Sequence, residues 1–159
     1  MTQLDPRSAR AGHRLLIGVG NPRRGDDAAG RAVARLLAER AAPGLVVRES
    51  SGEATSLMEA WAGFDDVVLV DACRGAGPPG SVHVFEADEV DRIASLRHAS
   101  SHSLGVAAAI GLARALGTLP AQLVVYAVEA RDTAVGERLS PEVDAAVRRL
   151  ADRLSVGSR

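Results

Sequence analysis

The chain contains no lysine; all 19 of its basic residues are arginine. Alanine is abundant, and together these are the usage of a GC-rich coding genome, which points to a bacterial source and says nothing of function. A basic excess is also missing, because 20 acidic residues leave a formal net charge of −1, and this argues against a general nucleic-acid binder. One cysteine, Cys73, excludes an internal disulfide and a zinc cluster built from cysteines, and suits a reducing compartment. No stretch approaches the ~20 apolar residues of a membrane-spanning helix. Met1 to Arg14 is polar and lacks the apolar centre of a signal peptide, so no membrane partner is expected and the expected location is cytoplasmic.

Several nucleotide and hydrolase motifs are absent as well. Gly18-Val19-Gly20 is followed by Asn21, Pro22 and Arg23 and lacks the third glycine of a dinucleotide-binding turn. There is no Gly-Lys-Ser/Thr phosphate loop, and no organic cofactor is expected. Without a Gly-x-Ser-x-Gly elbow, Ser101 beside His102 makes a poor hydrolase triad. Internal repeats, linkers and low-complexity blocks are lacking too.

What is present fits one domain: 159 residues, 47% hydrophobic and 25% charged, read as a soluble globular protein. Residues 1–13 carry no periodicity and are expected to be a flexible leader, 155–159 a flexible tail, and 14–154 the folded unit. Leu15 to Leu37 organises the rest. An apolar run to Val19 breaks at Gly20, Asn21 and Pro22, and then Ala29, Val33, Leu36 and Leu37 recur on one helical face. This predicts a strand over 14–19 buried on both faces and a helix over 27–41 that stops at Pro43-Gly44. Further strands are expected at 45–49, 66–72 and 122–128, with helices at 55–62, 103–116 and 141–154. Residues 88–96 read as a loop or short helical turn, and Ser140 as the N-cap of the last helix, ahead of Pro141. In 81–86, Val82 and Val84 alternate with His83 and Phe85, the mark of an antiparallel edge strand. The expected class is α/β: a single three-layer domain with a twisted, mostly parallel five-stranded sheet, helices on both faces and an antiparallel edge strand.

Three polar positions stand apart from this scaffold. Asp26 and Asp27 lie in the turn between first strand and first helix; one such acid suffices to cap a helix, and the other is available for chemistry. Asp71 ends the run Val67-Val68-Leu69-Val70, at the carboxyl edge where open α/β sheets bind ligands, although a loop-capping acid is the plainer reading. His102 begins the alanine-rich helix, capped by Ser100 or Ser101, where the helix dipole favours neutral imidazole. Two carboxylates and one imidazole suit a borderline divalent metal and leave coordination positions open. His98 reads as a surface residue, His13 and His83 offer nothing specific, and Cys73 reads as a small buried residue. Glu53 and Glu129 lie at strand exits, positions from which an acid can line the cleft, and the commoner reading of each is a solvated loop acid.

Gly18-Val19-Gly20-Asn21-x-x-x-Gly25-Asp26-Asp27-x-x-Gly30, Val70-Asp71-Ala72 and Ser101-His102-Ser103-Leu104-Gly105 together resemble the three signatures of the hydrogenase maturation proteases. The likeness runs from about Leu15 to Leu154. It implies an aspartic-type endopeptidase that removes the C-terminal extension of a nickel–iron hydrogenase large-subunit precursor after nickel insertion. It further implies that Asp27, Asp71 and His102 form the catalytic and metal-recognising set and that nickel is carried by the substrate; a monomer is expected. Other readings of the same residues are a non-catalytic nickel-dependent chaperone, a metallohydrolase with its own metal, and, from Gly18 to Pro22, a peptidyl-tRNA hydrolase-like enzyme. That last family needs a histidine soon after the asparagine, where this chain has Asp26 and Asp27.

Overall fold

The computed structural model describes residues 12–95 and 102–156, with His102 to Leu104 described by their backbone. The expected leader falls largely, and the expected tail partly, outside the described residues, as do His98, Ser100 and Ser101. Five strands form one sheet: β1 (Arg14–Val19), β2 (Leu45–Ser50), β3 (Asp66–Cys73), β4 (Val82–Glu86) and β5 (Gln122–Glu129). Their order is β2-β1-β3-β5-β4, with β4 antiparallel to β5 and every other pair parallel. The helices are α1 (Ala29–Arg40), α2 (Ala54–Trp61), α3 (Val90–Ser95), α4 (His102–Leu116) and α5 (Pro141–Ser155). The expected class, with its antiparallel edge strand, is the one observed.

Strand alternation divides the core into two layers. On one face Leu15, Ile17, Val19, Val67, Leu69, Val125 and Ala127 pack under Leu57 and Trp61 of α2 and Val106, Ala109, Ile110 and Ala113 of α4. On the other, Leu16, Val68, Val70, Tyr126 and Val128 meet Val33 and Leu37 of α1 and Val143, Val147 and Leu150 of α5. Because both faces are covered, β1 after Arg14 has no polar side chain and β3 has none between Asp66 and Asp71. Each fully buried aliphatic side chain contributes about 1.5–3 kcal/mol. At the edge, Phe85 turns into the core while Val84 on the opposite side is 45% exposed, as the alternation requires.

Two close approaches fix the helices against the strand ends. A Cβ on Gly30 of α1 would lie 2.1 Å from the Val70 carbonyl oxygen and 2.5 Å from that of Val19. Only glycine lets the first turn of α1 straddle β1 and β3 in this way. Likewise a Cβ on Gly105 of α4 would stand 1.8 Å from the carbonyl oxygen of Gly52, in the loop after β2.

Candidate active site

The segment expected to open the first helix forms instead a 3-10 turn, Gly25–Ala28, and α1 begins only at Ala29. The residues at the two N-cap positions are Arg24 and Ala28, and neither makes a side-chain capping bond. Asp26 and Asp27, both fully buried, have different partners.

Asp26 is a strut. Its carboxylate accepts hydrogen bonds from the backbone N–H of Arg131 and Asp132, each at 2.9 Å, and from the Ser140 N–H at 2.6 Å and hydroxyl at 2.7 Å. Burial alone would raise its pKa, but these donors outweigh it and hold the carboxyl below its ordinary range. Ser140 precedes α5 as expected, yet it makes no side-chain cap; its hydroxyl goes to Asp26, whose charge makes it a strong acceptor. Backbone bonds from Gly25 to Gly136 and from Asp26 to Asp132, each 2.8 Å, join the same two segments. A cavity of about 600 Å³ lined by Gly25, Asp132 and residues 134–140 opens beside this joint.

Asp27 faces the end of β1, where its Oδ2 accepts the Asn21 N–H at 3.1 Å. The Asn21 side-chain oxygen accepts the Arg23 N–H at 2.9 Å and so closes the turn. Asp71 sits near the end of β3, 4% exposed, and its Oδ1 accepts the Ala72 N–H at 2.8 Å. Alternation with Leu69 and Cys73 puts it on the α2/α4 face of the sheet. Gly30 brings the start of α1, and with it Asp27, against Val19 and Val70. His102 is the first residue of α4, and its side chain lies outside the described residues. The contact of Gly105 with Gly52 sets the start of that helix at the carboxyl edge, beside the ends of β2 and β1. Both acids and the beginning of α4 are therefore found along one edge of the sheet. A cavity of about 680 Å³ lies at the opposite edge, between Arg14, Asp66 and Gln122 at the strand starts, away from these groups.

Of the two strand-exit glutamates, Glu53 is exposed and holds the hydroxyls of Thr55 and Ser56, a surface role. Glu129 is not the solvated loop acid its position suggests: it is 2% exposed. One of its oxygens accepts the Gly75 N–H at 2.6 Å, while the other stands 3.3 Å from both the Cys73 Sγ and the His83 Nε2. Cys73 is buried as expected, and His83, to which the sequence assigns nothing, takes part in this group. The thiol pKa is pushed far up, first by burial and then by Glu129 and Asp71.

Residues 32–155 match the family described as hydrogenase maturation protease. Asp71 and His102 fall within that span and Asp27 precedes it. No curated protein sequence matches the chain. Among solved structures the chain is similar to the [NiFe] hydrogenase maturation protease HybD from Thermococcus kodakarensis, with 24% identity over 92% of this chain and 99% of that one and a TM-score of 0.74. An endopeptidase from Escherichia coli is 23% identical over 89% of each chain, with a TM-score of 0.79. The [NiFe] hydrogenase maturation protease HycI from Thermococcus kodakarensis KOD1 is 26% identical over 91% of each chain, with a TM-score of 0.68.

Proposed function

The chain belongs to the hydrogenase maturation protease family, and on that footing we propose that it removes the C-terminal extension of a nickel–iron hydrogenase large-subunit precursor, reading the substrate's inserted nickel through Asp27, Asp71 and His102. The observation that carries this reading is the pair of buried carboxylates, Asp27 and Asp71, near the carboxyl ends of neighbouring parallel strands, with α4 starting at His102 along the same edge. Asp26 is excluded from this role because four hydrogen bonds commit it to the 131–140 segment.

Two oxygen donors and one imidazole form an incomplete set for a borderline dication. Such a set binds the free ion modestly and gains most where the metal arrives already held by substrate thiolates, so a precursor without nickel lacks the feature being recognised. In cleavage, one carboxylate takes a proton from water as the water oxygen adds to the scissile carbonyl carbon, and the other orients the attack. The proton then passes to the departing amide nitrogen as the carbon–nitrogen bond breaks. This gives the acids the aspartic-type role.

The test mixes the purified protein with nickel-loaded and nickel-free precursor and follows the mass of the large subunit. Shortening is expected for the loaded form alone, and Asp27→Asn or Asp71→Asn should slow it by at least ~100-fold, the usual scale of lost acid–base catalysis. Equal shortening of both precursors would reject metal-gated recognition. Normal rates in both variants would remove the carboxylate mechanism, and nickel-dependent binding with no shortening would identify a chaperone.

A further inference from the structure

Beside the acids discussed above, three adjacent strands contribute a second group of polar side chains that cleavage does not use. Cys73 lies at the end of β3, Glu129 at the end of β5 and His83 near the start of antiparallel β4, and the sheet order β3-β5-β4 brings these ends together. Their ligand atoms, one sulfur, one nitrogen and one oxygen, all lie within 4.8 Å of one another. We infer that Cys73, His83 and Glu129 form a resident site for a divalent cation of the zinc class, separate from the substrate's nickel.

Three features carry the assignment. At bond lengths of ~2.0–2.3 Å, neighbouring ligand atoms of a tetrahedral zinc stand about 3.3–3.7 Å apart. The Sγ–Oε2 and Nε2–Oε2 separations are each 3.3 Å. Next, the carboxylate is already oriented: in the turn after β3 the Gly75 N–H donates to Oε1 at 2.6 Å and the Ala76 N–H is shared between the two oxygens at 3.3 Å from each, a grip that turns Oε2 toward the thiol and imidazole. Support of this kind, behind the atoms that bind, is what holds a metal ligand in place. Lastly, Glu129 is a buried carboxylate, 3% exposed at its side chain, with the His83 Nε2 3.3 Å from its Oε2. A dication offsets that buried charge, and His83, with 26% of its side chain exposed, provides the path for entry and for a water in the fourth position.

Binding exchanges the thiol proton for the metal: the S–H bond breaks, a sulfur–metal bond forms and the proton leaves to solvent. The outcome is a clip across β3, β5 and the edge strand β4, which also fastens the Gly75 to Gly80 turn.

The test strips the purified full-length protein with chelator and titrates it with Co²⁺ and with Zn²⁺, with no precursor present. One equivalent of Co²⁺ is expected to bind, with a thiolate-to-cobalt charge-transfer band in the near ultraviolet and the intense visible bands of a four-coordinate ion. Zn²⁺ should displace it and raise the melting temperature. C73S should lose the charge-transfer band. H83Q, a change at a part-exposed position that spares the core, should weaken binding by at least ~10-fold. D27N should bind as the unaltered chain does. Absence of the band, its persistence in C73S, or unchanged affinity in H83Q would overturn the site. Loss of binding in D27N alone would assign the ion to the nickel-recognising acids instead, so this proposal and the cleavage reading fail separately.

Discussion

Asp26 and Asp27 are neighbours of identical chemistry, and their surroundings give them different work. The Asp26 carboxylate satisfies three backbone N–H groups and a hydroxyl, so removing its charge leaves buried donors poorly matched. Asp26→Asn is expected to cost about 3 kcal/mol in urea unfolding at neutral pH, the scale of a charge-assisted bond lost from a buried site. The pH dependence follows from the sign of the shift. Its folded pKa is depressed below the ordinary 3.8, so its stabilisation is complete above that value and disappears as pH falls through the folded pKa. The gap between wild type and Asp26→Asn should stay constant above about pH 5 and narrow below about pH 4 in the same unfolding measurement. From the sequence, the pair was visible as one acid too many for a cap. Which acid was the strut was not visible, because its partners Arg131, Asp132 and Ser140 belong to a distant loop. His83 and Glu129 were passed over for the same reason: each is an ordinary residue until a particular strand order sets them beside Cys73.

Elements whose periodicity answers to local rules were readable. The apolar runs of β1 and β3, the alternation of β4 and the Pro43-Gly44 stop after α1 occur close to where the pattern puts them. The exceptions lie where tertiary contact overrides local preference, as in the 3-10 turn that replaces the first turn of the expected helix over 27–41, held to the 131–140 segment by backbone bonds. The glycines of the matching signatures acquire a physical reason at this scale. Gly30→Ala would drive a methyl group into the carbonyl oxygens of Val70 and Val19, and Gly105→Ala into that of Gly52. Overpacking of this sort costs about 1–3 kcal/mol. Each variant should lose roughly that much by chemical denaturation, and should lose precursor processing beyond the loss of folded protein, because each displaces a helix start from the sheet edge.

Across the whole molecule, one sheet is shared by two apolar layers that do not touch each other, and each layer contains a single natural reporter. Trp61, the only tryptophan, lies in the α2/α4 layer, and Tyr126, the only tyrosine, in the α1/α5 layer. Because every central strand contributes residues to both layers, neither layer survives loss of the other. Urea transitions followed by Trp61 emission, by Tyr126 absorbance and by far-ultraviolet circular dichroism are therefore expected to coincide; separated midpoints would show layers that unfold independently. The doubly wound class was legible from the order of strands and helices. The insertion of β5 between β3 and β4 was not, since a parallel crossover leaves no periodic trace in sequence, and the convergence of Cys73, His83 and Glu129 depends on that insertion.

The Asp26 joint grips its loop at Arg131, Asp132 and Ser140, and backbone bonds from Gly136 to Gly25 and Arg23 pin its middle, leaving the side chains of Ala134, Val135, Glu137 and Arg138 exposed, Val135 at 91%. Those four side chains are open to exchange by mutation while the moorings and the paired acids stay where they are. The wall beside the proposed cleavage edge thus sets solvent-facing side chains on a fixed backbone frame, so that substitutions there alter what the edge meets without disturbing its carboxylates.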